Sequence, residues 1–506
     1  MIHAAKTLVG GRLRADLCVV GSGPGGAAAA MVAAEAGMRV VLVESGALVT
    51  PAMMSQREEE MIPRLLWQAG ARMTADRGTH VHQGHGVGGS SLHNINLCKR
   101  IPDEVLAGWE RERGLMHLPR PVWHALYDEV EALLSVTAIP EALWNRHNRL
   151  LRDGCAALGW RGGGLSHNRT GCLGSGFCEL GCAYDAKNNA LKILIPRFVA
   201  AGGVVVTRAH ALRVEHAAGR VRGVTVGVLA GADPRVEGRL EIDAPLVCVS
   251  ASATGTPALL ERSKIPDPSR TTGRSLRLHP GVVAAGDFDE PVHAFAGIPQ
   301  TYECTEHLSF EPGSADRLWI IPAFGHPMGV ATMLPGRGEA HAALMARFDH
   351  MAVFAAMLHD ETKGEVSTKG ELDVELRYTP TARDRAALAR GIAHAARLLF
   401  AAGARRVIVP TYRVRVMSSV DEVDALTNVP IDPETLSLTA VHPMGSVPMA
   451  DDPARSAVGS DGRHHHLAGL WIADGSLFPT SIGVPPQISI YALGLHVGRA
   501  IVRTRT

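Results

Sequence analysis

The chain has 506 residues, 46% of them hydrophobic and 20% charged, with 51 basic and 50 acidic side chains for a formal net charge of +1. That length exceeds one ordinary domain and predicts two domains or one large domain carrying insertions, and the composition excludes a mainly disordered chain. Balanced charge without a Lys/Arg block argues against nucleic acid as a partner. No run of ~18 apolar residues offers a membrane span, and the N-terminus lacks the pattern of a secretory leader. Eight cysteines are too sparse for a disulfide scaffold. A reducing, cytoplasmic location is the expectation, with export alongside a partner subunit as the alternative.

From Asp16 to Glu44 the sequence reads strand (DLCVV), glycine turn (GSGPGG), Ala-rich helix (AAAAMVAAEAG) and strand (RVVLVE), which is one βαβ unit. A second apolar series between 198 and 251 reads as short strands that could complete the nucleotide domain. From 281 to 440 the pattern changes to longer alternating stretches, with a helix at TARDRAALARGIAHAARLLFAAGA. The last stretch, 441 to 506, reads strand, loop and helix. The fold expected is α/β, with a Rossmann-like nucleotide domain built from 1–280 and 441–506 and a second, α+β substrate domain over 281–440.

Gly21, Gly23 and Gly26 form G-x-G-x-x-G between a strand and a helix. The first glycine permits the tight turn, the second admits a diphosphate close to the backbone, and the third lets helix and strand pack. The helix N-terminus favours the anion, and Glu44 at the end of the next strand suits ribose hydroxyls. The motif alone does not choose between FAD and NAD.

Four further segments carry a resemblance: GHGVGGSSLHNINLCKR (84–100), SASATGTPALL (250–260), GRSLRLHP (273–280), and HPMGSVPMA (442–450) with IADGSLFPTSIGVPPQ (472–487). Together they resemble the glucose-methanol-choline (GMC) oxidoreductases, in that family's order and over most of the chain. The resemblance implies FAD, a CH–OH substrate such as an alcohol or sugar, and hydride transfer to the flavin. Gly88 and Gly89 would approach the flavin, with Ser90, Ser91 and Asn94 as hydrogen-bond partners. Asp474 and Gly475 would lie by the ribityl-diphosphate region, and a helix opening at Pro486 would face the pyrimidine end. His93 stands where relatives with histidyl-linked FAD carry their histidine, so the flavin is either covalent through His93 or packed against it.

By the same resemblance His442 is the base that takes the hydroxyl proton. The family's second polar residue falls on Pro485, which has no side-chain donor and no N–H. Gln487 and His464 to His466 are the candidates to replace it, the three histidines reading more simply as a solvated loop. Finally, Cys172, Cys178 and Cys182 follow a C-x5-C-x3-C spacing. Three thiolates suit a 3Fe-4S cluster or a cubane with an open corner better than structural zinc, and related FAD-dependent sugar dehydrogenases share the spacing. The alternative is three buried thiols. With a cluster, electrons would leave for an acceptor subunit, making a dehydrogenase; without one, an alcohol oxidase using O2 or an enzyme with a soluble acceptor follows. Pro485 raises a further alternative, a flavoprotein that keeps the fold as an electron-transfer or assembly subunit.

Overall fold

The computed structural model describes residues 1–231, 235–323, 325–413 and 415–505. Its first layer is a parallel sheet of six strands in the order Ile2–Ala4, Val204–Thr207, Val40–Glu44, Leu17–Val20, Leu246–Val249, Leu470–Ile472. Three of these, Leu17–Val20, Val40–Glu44 and Leu470–Ile472, are buried along their whole length, as continuous apolar runs require in a sheet covered on both faces. The first and last strands of the chain therefore belong to one sheet.

Helix packing brings the chain ends together a second time. The nucleotide-fingerprint helix Pro24–Glu35 lies against the C-terminal helix Gln487–Arg503. Small residues make the approach possible: a Cβ on Gly494 would sit 2.3 Å from the Gly25 carbonyl oxygen, and one on Gly498 would sit 3.0 Å from Ala29 Cα.

One expectation changes. Phe198 to Ala200, read as the start of a strand, closes a helix, Ala190–Ala200, which begins because the Asn189 side chain accepts from Lys192 N at 2.9 Å. Of the apolar series after it, only Val204–Thr207 and Leu246–Val249 enter the nucleotide sheet. Ala209–Ala217, Arg220–Leu229 and Val236–Asp243 form a separate antiparallel sheet with Arg12–Arg14 at its edge.

The second large layer is a mixed sheet centred on Gly281–Asp287, Met351–Leu358 and Leu318–Pro322, backed by the helix Ala382–Ala401. Thr79–Val81 and Gly162–Gly164 from the first half of the chain also pair into it. Asp287, fully buried in its first strand, is held by Arg347, Arg405 and Arg406. These pairs and their hydrogen bonds keep its carboxyl below the usual range although burial acts the other way. No helix among the described residues is long and apolar enough to cross a membrane.

Candidate active site

Strand Leu17–Val20 runs into Gly21, whose φ of +93° suits glycine, and a Cβ there would lie 2.2 Å from the Ser250 carbonyl oxygen. At Gly26 a Cβ would lie 1.9 Å from the Gly21 oxygen. Gly23 is different: a Cβ built on it meets only Gly89 Cα, at 4.0 Å. The turn is thus closed where helix packs on strand and open where the helix begins, and Gly23 caps that helix without a side-chain bond to its free N–H groups. Gly89 meets it backbone to backbone, and Gly88, which like Gly89 has a positive φ, donates its N–H to Ser22 Oγ at 3.0 Å. This arrangement fits a diphosphate lying across the turn.

Glu44, buried, accepts from Ser22 N (3.1 Å), Ser22 Oγ (2.7 Å) and Gly46 N (2.8 Å). Ser90 Oγ accepts from Gly84 N at 2.8 Å, and Ser91 Oγ donates to Gly88 O at 2.6 Å. Both hydroxyls are thus engaged with their own loop, which they hold in shape. Asp474 accepts from Ser476 N, Ser252 N and Thr256 Oγ1, tying two of the signature segments together, and burial pushes its carboxyl up. Gly475 O accepts from Gly445 N, which ties in the segment of His442.

Burial, aided by Lys187 and His82, drives the His93 ring down to about 3 and leaves its Nε2 enclosed without a partner. Asn94 Nδ2 donates to Gln487 Oε1 at 2.7 Å while its Oδ1 has no partner. Gln487 opens the C-terminal helix after Pro486 and also donates to Leu97 O and Asn168 Oδ1. It is committed to that network. His465 bonds the Ala450 carbonyl, His466 N donates to His464 Nδ1, and His464 is buried. The solvated-loop reading is therefore wrong for His464, and none of the three bonds His442.

His442 finds a different neighbour. The segments 273–280 and 442–450 run antiparallel, with Arg277 N donating to Met444 O and Met444 N to Arg277 O. In that register residue 279 faces residue 442. Their Nδ1 atoms lie 2.9 Å apart. Burial pushes the His442 ring down to about 3, and His279, fully buried, also falls well below its ordinary value through burial and the nearby His442 and His359. Both rings are neutral at physiological pH. His359 Nε2 donates to the Ser481 carbonyl at 3.0 Å, within the loop that precedes the C-terminal helix. His279 and His359 were not singled out from sequence. The signals for His279 are its place in the segment GRSLRLHP and a His-Pro dipeptide, which recurs at 326–327 and 442–443; His359 has none.

Cys172, Cys178 and Cys182 line one concavity with Arg169 and Lys187. Arg169 Nη1 and Gly174 N approach Cys172 Sγ at 3.3 and 3.4 Å, and Ala186 N approaches Cys182 Sγ at 3.3 Å. Burial raises the Cys178 thiol, against the pull of Lys187 and Arg169. Among the described residues no three His, Cys, Asp or Glu side chains converge to hold a metal ion. The Lys187 ammonium donates to the carbonyls of Leu92, Asn94 and Cys178, tying the cysteine loop to the His93 segment.

The glycine cradle on a parallel sheet defines a Rossmann-like nucleotide-binding protein, with two histidines meeting across a loop junction. Family models described as GMC oxidoreductase match residues 62–281 and 361–494, and one described as an NAD(P)-binding Rossmann-like domain matches 19–92. The chain is 34% identical over 489 residues to the GMC-type oxidoreductase MT0511/MT0512 of Mycobacterium tuberculosis, covering 96% of this chain and 75% of that protein. It is 28% identical over 519 residues to the long-chain-alcohol oxidase FAO4B of Arabidopsis thaliana, covering 97% and 68%. Among solved structures, pyridoxine 4-oxidase from Mesorbium loti aligns with a TM-score of 0.72 at 18% identity, covering 96% of this chain and 98% of that one. Formate oxidase aligns at 0.71 and 15%, covering 97% and 98%. The chain belongs to the GMC oxidoreductase family, and its family and fold support FAD as the cofactor.

Proposed function

We propose that this chain oxidises the CH–OH group of an alcohol, with His442 as the base and FAD as hydride acceptor. The observation that carries the reading is the state of His442: a neutral ring, held through Nδ1 by His279, whose Nε2 makes no hydrogen bond among the described residues. A neutral imidazole with a free nitrogen can take the hydroxyl proton. The glycine turns at Gly21–Gly26 and Gly88–Gly89 would hold the diphosphate, Glu44 the ribose side and Asp474 and Gly475 the ribityl side. The His93–Asn94 segment and the helix starting after Pro486 would border the ring. When bound, FAD accepts the hydride; the protein positions the alcohol and holds its proton.

The names of the relatives favour long-chain alcohols as the first substrates to test. In anaerobic titration, 1-dodecanol should bleach the visible flavin bands of the holoenzyme, and His442→Ala should slow bleaching by about 100-fold or more. Equal rates in the two proteins would refute His442 as base. Acid precipitation tests His93: flavin that stays with the pellet, and is released in His93→Ala, means a covalent link.

A second reading concerns where electrons go. Cys172, Cys178 and Cys182 are the residues that would hold an iron–sulfur cluster, which supplies one-electron transfer. The three line one concavity, but no three metal-ligating side chains converge among the described residues, so the cysteine spacing carries this reading and the geometry does not support it. Iron and labile sulfide in matching amounts on anaerobically purified protein would make this a dehydrogenase with an acceptor partner. Iron-free protein that makes peroxide from an alcohol would make it an oxidase.

A further inference from the structure

His279 is an expensive residue to keep where it is. Its φ is +51°, in the left-handed region that non-glycine residues enter only under constraint. It is fully buried, and its Nε2 has no partner. The constraint comes from Asp360, also buried, whose carboxylate accepts from Leu278 N (3.1 Å), His279 N (3.2 Å) and the Tyr378 hydroxyl (2.7 Å). This backbone geometry delivers one side-chain contact: His279 Nδ1 against His442 Nδ1 at 2.9 Å.

A neutral imidazole carries one proton, on either nitrogen. Two Nδ1 atoms at hydrogen-bond distance share one proton between them, so the pair has two arrangements. If His279 Nδ1–H donates, His442 carries its proton on Nε2 and cannot act as a base there. If His442 Nδ1–H donates, its Nε2 is bare and base-competent, and His279 is the acceptor, its own proton on the enclosed and unpartnered Nε2. Once His442 Nε2 has taken a hydroxyl proton, the imidazolium has an N–H at both positions, and only the accepting form of His279 satisfies it.

We propose that His279 is the positioning residue of His442, its Nδ1 accepting the His442 Nδ1–H so that Nε2 stays bare for the substrate hydroxyl. This rests on the reading of His442 as the base. A neutral acceptor suits the task, because a carboxylate at this place would hold a proton on His442 at rest. The titratable and charged groups facing His279 are His442 and His359, with Asp360 at its backbone, and among the described residues no carboxylate is bonded to its ring.

The test uses holoenzyme with 15N-labelled histidine rings and three variants. His279→Asn keeps an acceptor near the Nδ1 position and tolerates positive φ; His279→Phe keeps the bulk without the acceptor; His442→Gln assigns the signal. Long-range 1H–15N spectra should show His442 as the Nδ1–H tautomer in the native protein and in His279→Asn, and shifted towards Nε2–H in His279→Phe. Flavin bleaching by 1-dodecanol should fall about 10- to 100-fold in His279→Phe, with substrate affinity little changed and the acidic limb of its pH profile displaced, while His279→Asn stays within about tenfold of native. An unchanged His442 tautomer in His279→Phe overturns the proposal, as does a rate loss as large in His279→Asn. If His442→Gln bleaches at the native rate, the base reading fails by itself. The tautomer spectra still decide whether His279 orients that ring.

Discussion

The two ends of the candidate site are built by opposite means. The diphosphate end consists of backbone: Gly21, Gly23, Gly26, Gly88 and Gly89 matter for the side chains they lack, and a single added carbon would meet a carbonyl oxygen at 2.2 Å at Gly21 or 1.9 Å at Gly26. The proton-handling end consists of side chains: His442, His279 and His359 come from three separate segments, and each ring nitrogen matters for the hydrogen it carries or lacks. The first end therefore fails by steric collision and the second by a change of proton placement. The first should lose cofactor and fold together, whereas the second should lose rate and keep both.

The largest effect expected from breaking the glycine end is at Gly26. Gly26→Val should yield protein without flavin, or no soluble protein, because the branched side chain must displace the Gly21 carbonyl from beneath the helix. The visible absorbance per chain measures it, and a yellow Gly26→Val protein would refute the cradle as drawn. A smaller loss is expected where the same helix meets the C-terminus. Gly494→Val should cost about 3 kcal/mol of unfolding free energy, since its Cβ would lie 2.3 Å from the Gly25 carbonyl oxygen. The shift of a urea unfolding midpoint reports it. Flavin content should fall less than in Gly26→Val, as the helices can separate slightly without closing the turn.

The same contrast explains what could be read from sequence. The glycine string and Glu44 lie within 24 residues of one another, and each keeps its meaning in isolation: a turn, a close approach, an acid after the next strand. The helix Ala382–Ala401 was legible for a similar reason, its apolar spacing being local. The edge strand Ile2–Ala4 was not, because three residues carry too little pattern and are defined by pairing with Val205 to Thr207. Strands 209 to 243 were legible as strands, but the sheet they form was not, since apolar alternation does not say which sheet a strand joins. The meeting of His279 and His442 depends on the register of two segments 163 residues apart. A one-residue slip would separate the rings while leaving both local motifs intact. His442 was visible through its family motif. Its partner required the fold.

The smallest effect sharpens the contrast by asking what a buried neutral histidine does when it has no reaction to serve. His147, in the helix Arg146–Leu158, is buried, its Nε2 lies 2.8 Å from the Val353 carbonyl, and its ring stacks on Phe354. Burial pushes it from 6.5 to about 4, the carbonyl bond opposing. On acidification the unfolded chain binds this proton first, near pH 6.5, and the folded chain only near pH 4. His147 therefore leaves stability unchanged above pH 6.5 and lowers it between pH 6.5 and 4, by about 1.4 kcal/mol per pH unit. Replacing it with glutamine removes that term. Between pH 7 and pH 5 native protein should lose about 2 kcal/mol more than His147→Gln, read from urea midpoints at the two pH values, while the pH profile of flavin bleaching stays where it was. Equal losses would mean that His147 is not held neutral by burial. A moved bleaching profile would mean that the reaction senses histidines beyond the loop junction, and the division between rings that hold the fold and rings that handle the proton would have to be redrawn.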